Sequence, residues 1–108
     1  MNDPPKIRMT TPTRLVLDVL IASAEDPPWG YRICEEAGIG SGTVYPILER
    51  LEQAGWIEGE WERGQPEDRP RRRFYRLTNV GRAGYAAAAS RRAKPTRAWL
   101  GRIRPEAQ

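Results

Sequence analysis

One amphipathic helix with a cap at each end is predicted by the segment Ile39-Gly-Ser-Gly-Thr-Val-Tyr-Pro-Ile-Leu-Glu-Arg-Leu-Glu-Gln-Ala-Gly55. Ser41 is the predicted N-cap, because its hydroxyl can accept a hydrogen bond from an unpaired backbone N–H of the first turn. Val44, Leu48 and Leu51 then recur at the spacing of one buried helix face. The glycine that follows this pattern fits a left-handed C-terminal cap. The segment therefore turns an apolar face to a core and leaves its N-terminal end outward.

A shorter helix is predicted just before this one. Residues 29–37 form it, and Gly38-Ile39-Gly40 is the turn, with Ile39 packed between the two helices. Two short helices joined by a glycine-containing turn are typical of a helix-turn-helix. Such pairs also occur in bundles that do not bind DNA, so the flanking segments have to decide between the two. In the DNA-binding interpretation, the contacts of this helix are Ser41, Gly42, Thr43, Tyr45 and Arg50.

A β-hairpin is predicted after the helix. Residues 57–62 alternate between apolar or small positions and three glutamates, and residues 74–77 form the second strand. Residues 63–70 join the strands, which makes the hairpin the wing of a winged helix. The glutamates are expected opposite Arg72, Phe74 and Arg76, which neutralises part of the wing.

Other arginines of the wing are predicted to contact DNA. The predicted contacts with phosphate or the minor groove are Arg63, Arg69 and Arg71. The alternative for these residues is a solvated charged loop.

The two ends of the chain complete the predicted organisation. Residues 1–10 are expected to form a flexible arm, residues 11–77 the winged helix-turn-helix domain, and residues 78–108 a C-terminal dimerisation helix and tail. Thr11 is the predicted cap of the first helix and Thr78 of the last. The fold class is mainly α with a small β-hairpin: three helices plus a wing, followed by the dimerisation helix.

Dimerisation is expected because a chain of 108 residues buries only a modest fraction of its apolar surface alone. The first helix is apolar on two sides, and the C-terminal segment carries large apolar residues. The predicted dimer contacts are Leu17, Ile21, Tyr85, Ala88, Arg92, Trp99 and Leu100.

Charge is distributed unevenly along the chain. Residues 1–62 contain five Lys and Arg against eleven Asp and Glu, a balance of −6, whereas residues 63–108 contain thirteen against three, a balance of +10. This polarity predicts a polyanionic partner for the second half. The alternative is a winged helix used only for protein–protein contact, with the acidic first half as the binding face. Affinity for duplex DNA that falls steeply with salt would favour the first interpretation.

Several classes of function are excluded by composition. The chain has no histidine and one cysteine, so it cannot build a Cys/His zinc site or a histidine-dependent catalytic triad by itself. It also lacks GxGxxG and P-loop motifs. We therefore expect no enzyme, no cofactor and no metal. Cys34 is expected to be a small buried residue of the second helix, with a redox switch as the alternative. We expect a cytoplasmic protein, because no apolar run approaches the roughly 20 residues that span a bilayer and no signal peptide opens the chain.

Four ordered segments resemble the PadR family of bacterial transcriptional regulators. Residues 42–57 carry that family's Gly-Thr-aliphatic-Tyr-Pro helix, and residues 71–78 carry its arginine-rich wing ending in Tyr-x-Leu-Thr. Gly81 follows three residues after the wing, and Gly30-Tyr31 with Ile33 matches the family's second helix. The resemblance covers residues 11–92.

The resemblance implies a two-fold dimer on a pseudo-palindromic operator, with the helix after the turn in successive major grooves. Repression is the implied default output, and autoregulation is common in such proteins. Some members bind small aromatic effectors at the dimer interface, against a tryptophan of the last helix. That position is Arg92 here, and Trp99 lies seven residues further on.

Overall fold

The computed structural model describes residues 7–93, with side chains described as far as Arg91. Three helices, a two-stranded antiparallel hairpin and a fourth helix follow one another, as the sequence predicts. The elements are α1 Thr11–Ala22, α2 Gly30–Ala37, α3 Ser41–Gln53, β1 Ile57–Trp61, β2 Arg73–Leu77 and α4 Asn79–Ala93. Among the described residues, no helix has both the length and the apolar character of a membrane span.

The N-cap of helix α1 lies one residue before the predicted cap. Thr10 is the N-cap, and its hydroxyl oxygen accepts a hydrogen bond from the Thr13 backbone N–H at 3.3 Å. Thr11, the predicted cap, is the first helical residue. Either threonine satisfies the sequence rule for a cap. Thr13 selects between them, because its hydroxyl accepts a second hydrogen bond from the Thr10 hydroxyl at 3.0 Å.

The core lies between α1, α2, α3 and the inner side of the hairpin. Leu17 of α1 is 0% exposed and belongs to this core. Its assignment as a contact with a second chain is therefore corrected, since the chain already buries it. Ile7 and Met9 also pack against the core. The predicted flexible arm accordingly does not extend through residues 7–10.

Glycine caps end both helices of the helix-turn-helix. Gly38 ends α2 at φ +71°, and its neighbour Ile39 donates a backbone hydrogen bond to the Cys34 carbonyl at 3.1 Å. The predicted glycine after α3, Gly55, has φ +78°. Trp56 N–H then closes the end of α3 by donating to the Leu51 carbonyl at 2.9 Å. Only glycine adopts such left-handed angles at little cost, so both caps are built into the sequence.

The start of α3 differs by one residue from the prediction. Gly40 is the N-cap, Ser41 is the first helical residue, and no side chain caps this end. The predicted buried stripe is confirmed at Val44, Leu48 and Leu51, and Ile47 joins it. The apolar stripe therefore fixes the rotation of α3, whereas its first backbone N–H groups are left without side-chain partners.

The hairpin has the register expected from its charges. Glu58 pairs with Arg76 and Glu60 with Phe74 across the two strands. Beyond the strand end, Glu62 N–H donates to the Arg72 carbonyl at 2.7 Å. The loop before α2 forms an isolated β-bridge with β2, in which Tyr75 N–H donates to the Pro28 carbonyl at 3.0 Å.

Helix α4 joins the domain through its first turns. Thr78 caps it as predicted, accepting from Gly81 N–H at 3.1 Å and donating to the Gly55 carbonyl at 2.6 Å. Gly81 lies against the Trp56 carbonyl and Gly84 against the Trp56 ring, so neither position has space for a Cβ atom.

Substituting Gly81 by Ala tests this close approach. Its Cβ would collide with the Trp56 carbonyl oxygen, a backbone atom that cannot swing aside. We expect a loss of about 1–3 kcal/mol in the free energy of unfolding, measured by denaturant titration. Gly42→Ala is the matched control, because that helical glycine has nothing within 4 Å of its Cβ position. The control should raise stability by up to about 1 kcal/mol. Equal effects of the two substitutions would contradict this packing.

Candidate nucleic-acid interface

The N-terminal end of α3 is exposed, as the sequence predicts. Ser41, Gly42 and Thr43 are all exposed, and Tyr45 is 44% exposed. Arg50 is exposed two helical turns beyond Thr43, about 10 Å further along the axis. The structure therefore brings all five predicted contacts of this helix onto its solvent side.

Tyr45 is held in place by a glycine of the preceding helix. A Cβ atom at Gly30 would lie only 2.5 Å from the Tyr45 hydroxyl oxygen and 2.7 Å from Cε1. The phenol therefore lies directly on the backbone of α2. Burial raises the pKa of this phenol above its usual value, so the hydroxyl stays protonated and available as a hydrogen-bond donor.

The three predicted wing arginines differ in their surroundings. Arg63 and Arg71 are exposed, and Arg71 donates a hydrogen bond to the Glu62 backbone carbonyl at 3.5 Å. Arg69 instead binds the Glu62 carboxylate through both terminal nitrogens, each at 2.8 Å. Arg69, a predicted DNA contact, is therefore paired within the hairpin, and this two-point pair offsets most of its charge.

Glu62 is the carboxylate that organises the hairpin end. It accepts from Arg69 and from the Arg72 backbone N–H at 3.1 Å. These hydrogen bonds, Arg69 first, lower its pKa to about 2. Glu62 is consequently ionised at any pH at which the protein is expected to work.

Arg73 connects the wing to α3. Its Nη2 lies 2.6 Å from the Glu52 carboxylate, and its guanidinium carbon is 5.3 Å from the centre of the Trp61 ring. The side chain crosses β1 at Gly59, where a Cβ would lie 2.5 Å from the arginine Nε. Sequence reasoning missed this role, because Glu52 and Arg73 lie 21 positions apart.

The guanidinium groups of Arg72 and Arg76 have different partners. Arg76 pairs with Glu58 at 2.9 Å, as the register predicts. Arg72 was expected opposite a glutamate, and its backbone carbonyl does accept from Glu62 N–H. Its guanidinium, however, lies 4.0 Å from the centre of the Trp29 ring. A cation over an aromatic face keeps its charge.

Two grooves of opposite character flank the hairpin. We call the first the aromatic cleft; it has a volume of about 420 Å³ and is lined by Trp29, Gly30, Tyr31, Tyr45, Trp61, Arg69, Pro70, Arg71, Arg72, Arg73 and Tyr75. We call the second the acidic groove; it has a volume of about 700 Å³ and is lined by Asp26, Pro27, Glu58, Gly59, Glu60, Trp61, Glu62, Arg63, Phe74, Tyr75 and Arg76. The aromatic cleft shares Tyr45 with α3 and has no acidic lining residue in the described chain.

The remaining predicted residues lie away from these grooves or outside the described residues. Tyr85 donates to the Asp18 carboxylate at 2.7 Å, which ties α4 to α1. Ile21 is half-buried, and Ala88 is buried and offers little surface. The Arg92 side chain, Trp99 and Leu100 lie outside the described residues. Cys34 is buried, as expected, and burial raises the pKa of its thiol.

The contact between Gly30 and Tyr45 can be tested by a double-mutant cycle. Gly30→Ala should destabilise the protein containing Tyr45 more than the Tyr45→Ala variant, because the three atoms nearest to the added methyl all belong to the phenol. We expect a coupling free energy of about 0.5–3 kcal/mol from denaturant melts. Gly40→Ala provides the control cycle, since its Cβ position has nothing within 4 Å. Additive Gly30 and Tyr45 effects would rule out the contact.

The Glu62–Arg69 pair predicts a specific pH dependence. Because folding lowers the pKa of Glu62 from 4.5 to about 2, its contribution to stability is present above pH 4.5 and is lost as the pH falls through 2. Thermal melts should therefore show wild type more stable than Glu62→Gln at neutral pH, with the difference vanishing near pH 2. Glu60→Gln is the control, because Glu60 faces Phe74 and forms no ion pair in the described chain. A pH-independent difference for Glu62→Gln would contradict this assignment.

Comparison with known proteins agrees with this architecture. Residues 16–87 match the profile of the transcriptional regulator PadR-like family. A PadR family transcription regulator from Clostridium difficile superposes with a TM-score of 0.64 at 22% identity, covering 76% of this chain and 86% of that one. A MepR mutant from S. aureus gives a TM-score of 0.73 at 20% identity, covering 91% and 69%.

A third structure contains nucleic acid. The transcriptional repressor CouR, bound to a 23-mer DNA duplex, gives a TM-score of 0.61 at 24% identity, covering 77% of this chain and 54% of that one. No curated protein matches the chain in sequence. The structural likenesses establish a winged-helix fold, and the profile match covers two thirds of the sequence. The chain belongs to the PadR-like family of transcriptional regulators.

Proposed function

We propose that this protein represses transcription by binding a pseudo-palindromic operator as a homodimer, with α3 in the major groove. The observation that carries the proposal is the exposed N-terminal end of α3, which lies beside a cleft lined by arginines and by no acidic residue of the described chain. Family membership supports the regulatory role, and the DNA-bound neighbour supports the partner. Repressors of this kind act by occluding polymerase, commonly at their own promoters.

The residues of α3 divide into two roles. Thr43 and Tyr45 are the base-reading candidates, because both residues are exposed at the end of the helix that enters the groove. Ser41 and the backbone of Gly42 are placed to contact phosphate, since the first N–H groups of a helix point outward and favour anions. Arg50 supplies a further phosphate contact along the same face.

A dimer is part of this proposal because operator symmetry mirrors protein symmetry. Two copies of α3 must lie about 34 Å apart to enter successive major grooves. Ile21 and Val80 offer apolar surface for this purpose, Val80 being exposed on α4. The tail residues Trp99 and Leu100 are proposed to add to the interface, and a small aromatic effector near Arg92 or Trp99 is an expectation from the family resemblance.

The acidic groove favours a second candidate function. Four carboxylates, those of Asp26, Glu58, Glu60 and Glu62, line it. A basic partner protein could bind there, as in a winged helix that serves only protein–protein contact. That candidate predicts little affinity for duplex DNA.

Binding to DNA decides between the candidates. Footprinting on the protein's own promoter would locate an operator, and fluorescence anisotropy on that duplex should show affinity that falls steeply between 50 and 200 mM salt, by about 10³–10⁵ for six to ten phosphate contacts. Thr43→Ala should lower operator affinity by about ten-fold or more and leave binding to unrelated DNA unchanged. Ser90→Ala, which removes an exposed hydroxyl on α4, is the control and should change neither affinity. Salt-independent or absent duplex binding would refute the proposal and favour the protein-contact role.

A further inference from the structure

The tip of the wing carries no net charge. Residues 63–70 contain two arginines, Arg63 and Arg69, and two acids, Glu67 and Asp68. Arg69 is already bound to Glu62 through two hydrogen bonds of 2.8 Å. Arg63 lines the acidic groove rather than the aromatic cleft. Electrostatic attraction of the tip for phosphate is therefore weak.

The base of the wing has the opposite character. Three consecutive arginines, residues 71–73, line the aromatic cleft. Arg73 pairs with Glu52, but Arg72 lies over the Trp29 ring and Arg71 donates to the Glu62 backbone carbonyl. Two guanidinium groups at the base thus keep their charge without a carboxylate partner in the described chain.

Exposed aromatic rings are concentrated in the same cleft. Tyr31 is 60% exposed, Trp61 is 55% exposed, and Tyr45 lies beside them. These three rings and Val80 of α4 are the exposed large apolar residues of the described chain. Rings of this kind at a surface mark an interaction site, and their combination with arginine fits nucleic acid.

We propose that the sugar–phosphate backbone of one operator strand lies in the aromatic cleft at the base of the wing, and that the wing tip makes no essential DNA contact. This rests on the proposed function. The shared residue Tyr45 makes the geometry continuous, because the strand bordering the major groove that α3 enters passes directly beside it. The sequence expectation placed the wing contacts at Arg63, Arg69 and Arg71, and the proposal keeps Arg71 but departs from it at Arg63 and Arg69.

Each lining residue has a definite part in this arrangement. Arg71 and Arg72 bind phosphate oxygens, for which the guanidinium fork is well matched. Tyr31 donates its hydroxyl to the same backbone, and the Trp61 ring packs against a sugar. Arg73 is a positioning residue, because its pair with Glu52 fixes the wing relative to α3. None of these contacts reads a base, so the cleft adds affinity and not sequence preference.

Matched arginine substitutions test the proposal on the full-length protein. Arg71→Ala should weaken binding to operator and unrelated duplex alike, by about ten-fold, as expected for one charged hydrogen bond. It should also reduce the slope of log affinity against log salt by about one. Arg63→Ala removes the same side chain from the tip and should change affinity less than two-fold. A larger effect of Arg63→Ala than of Arg71→Ala would overturn the proposal.

Aromatic substitutions provide an independent arm. Tyr31→Ala should weaken binding to both duplexes by about five-fold, whereas Ser90→Ala, which changes an exposed residue of α4 outside the proposed interfaces, should not. Thermal melts would verify that both variants are folded. If Tyr31→Ala weakened binding to a single-stranded oligonucleotide but not to either duplex, the cleft would stack unpaired bases and the proposal would be wrong. If the wild type bound no duplex at all, the proposed function itself would be refuted. This outcome is distinct from failure of the cleft proposal, in which the wild type binds duplex but the substitutions in the cleft have no effect.

Discussion

The side chain of Arg73 connects the two parts of the molecule that face DNA in the proposed complex. It crosses β1 at Gly59, lies against the rings of Trp61 and Tyr75, and ends 2.6 Å from the Glu52 carboxylate of α3. A partly exposed ion pair contributes only about 0–1 kcal/mol by itself. The Trp61 and Tyr75 rings flank the arginine, and the missing Cβ at Gly59 leaves room for it to cross the strand, so the contact between helix and wing runs through this residue.

The charge separation in the wing follows from the alternation of side chains along a strand. Glutamates at every second position of residues 58–62 all point to the acidic groove, and the register places Phe74 and Arg76 with them. Arg73 and Tyr75, which alternate with Phe74 and Arg76 along β2, line the aromatic cleft. A shift of the strand register by one residue would exchange the two sets of side chains and bring carboxylates to the candidate DNA surface.

Local patterns predicted most of the fold, because apolar spacing and capping residues act over a few positions. The helix-turn-helix, the hairpin register and the Thr78 cap were all visible in this way. Errors arose where two neighbouring residues satisfy one rule, as with Thr10 and Thr11. Long-range arrangements could not be predicted from local patterns. Burial of Leu17 and assembly of the aromatic cleft depend on how distant segments meet, and the pairing of Arg69 depends on how the hairpin loop folds back on Glu62.

The opposite charges of the two grooves give the wing a dipole moment across its width. In the field of a polyanion, such a dipole experiences a torque that turns the aromatic cleft toward the polymer and the acidic groove away from it, before any atoms touch. Orientation during diffusional approach reduces the number of unproductive collisions. In the proposed mode of binding, Glu58, Glu60 and Glu62 thereby influence how quickly the protein locates a duplex, although they contact no base.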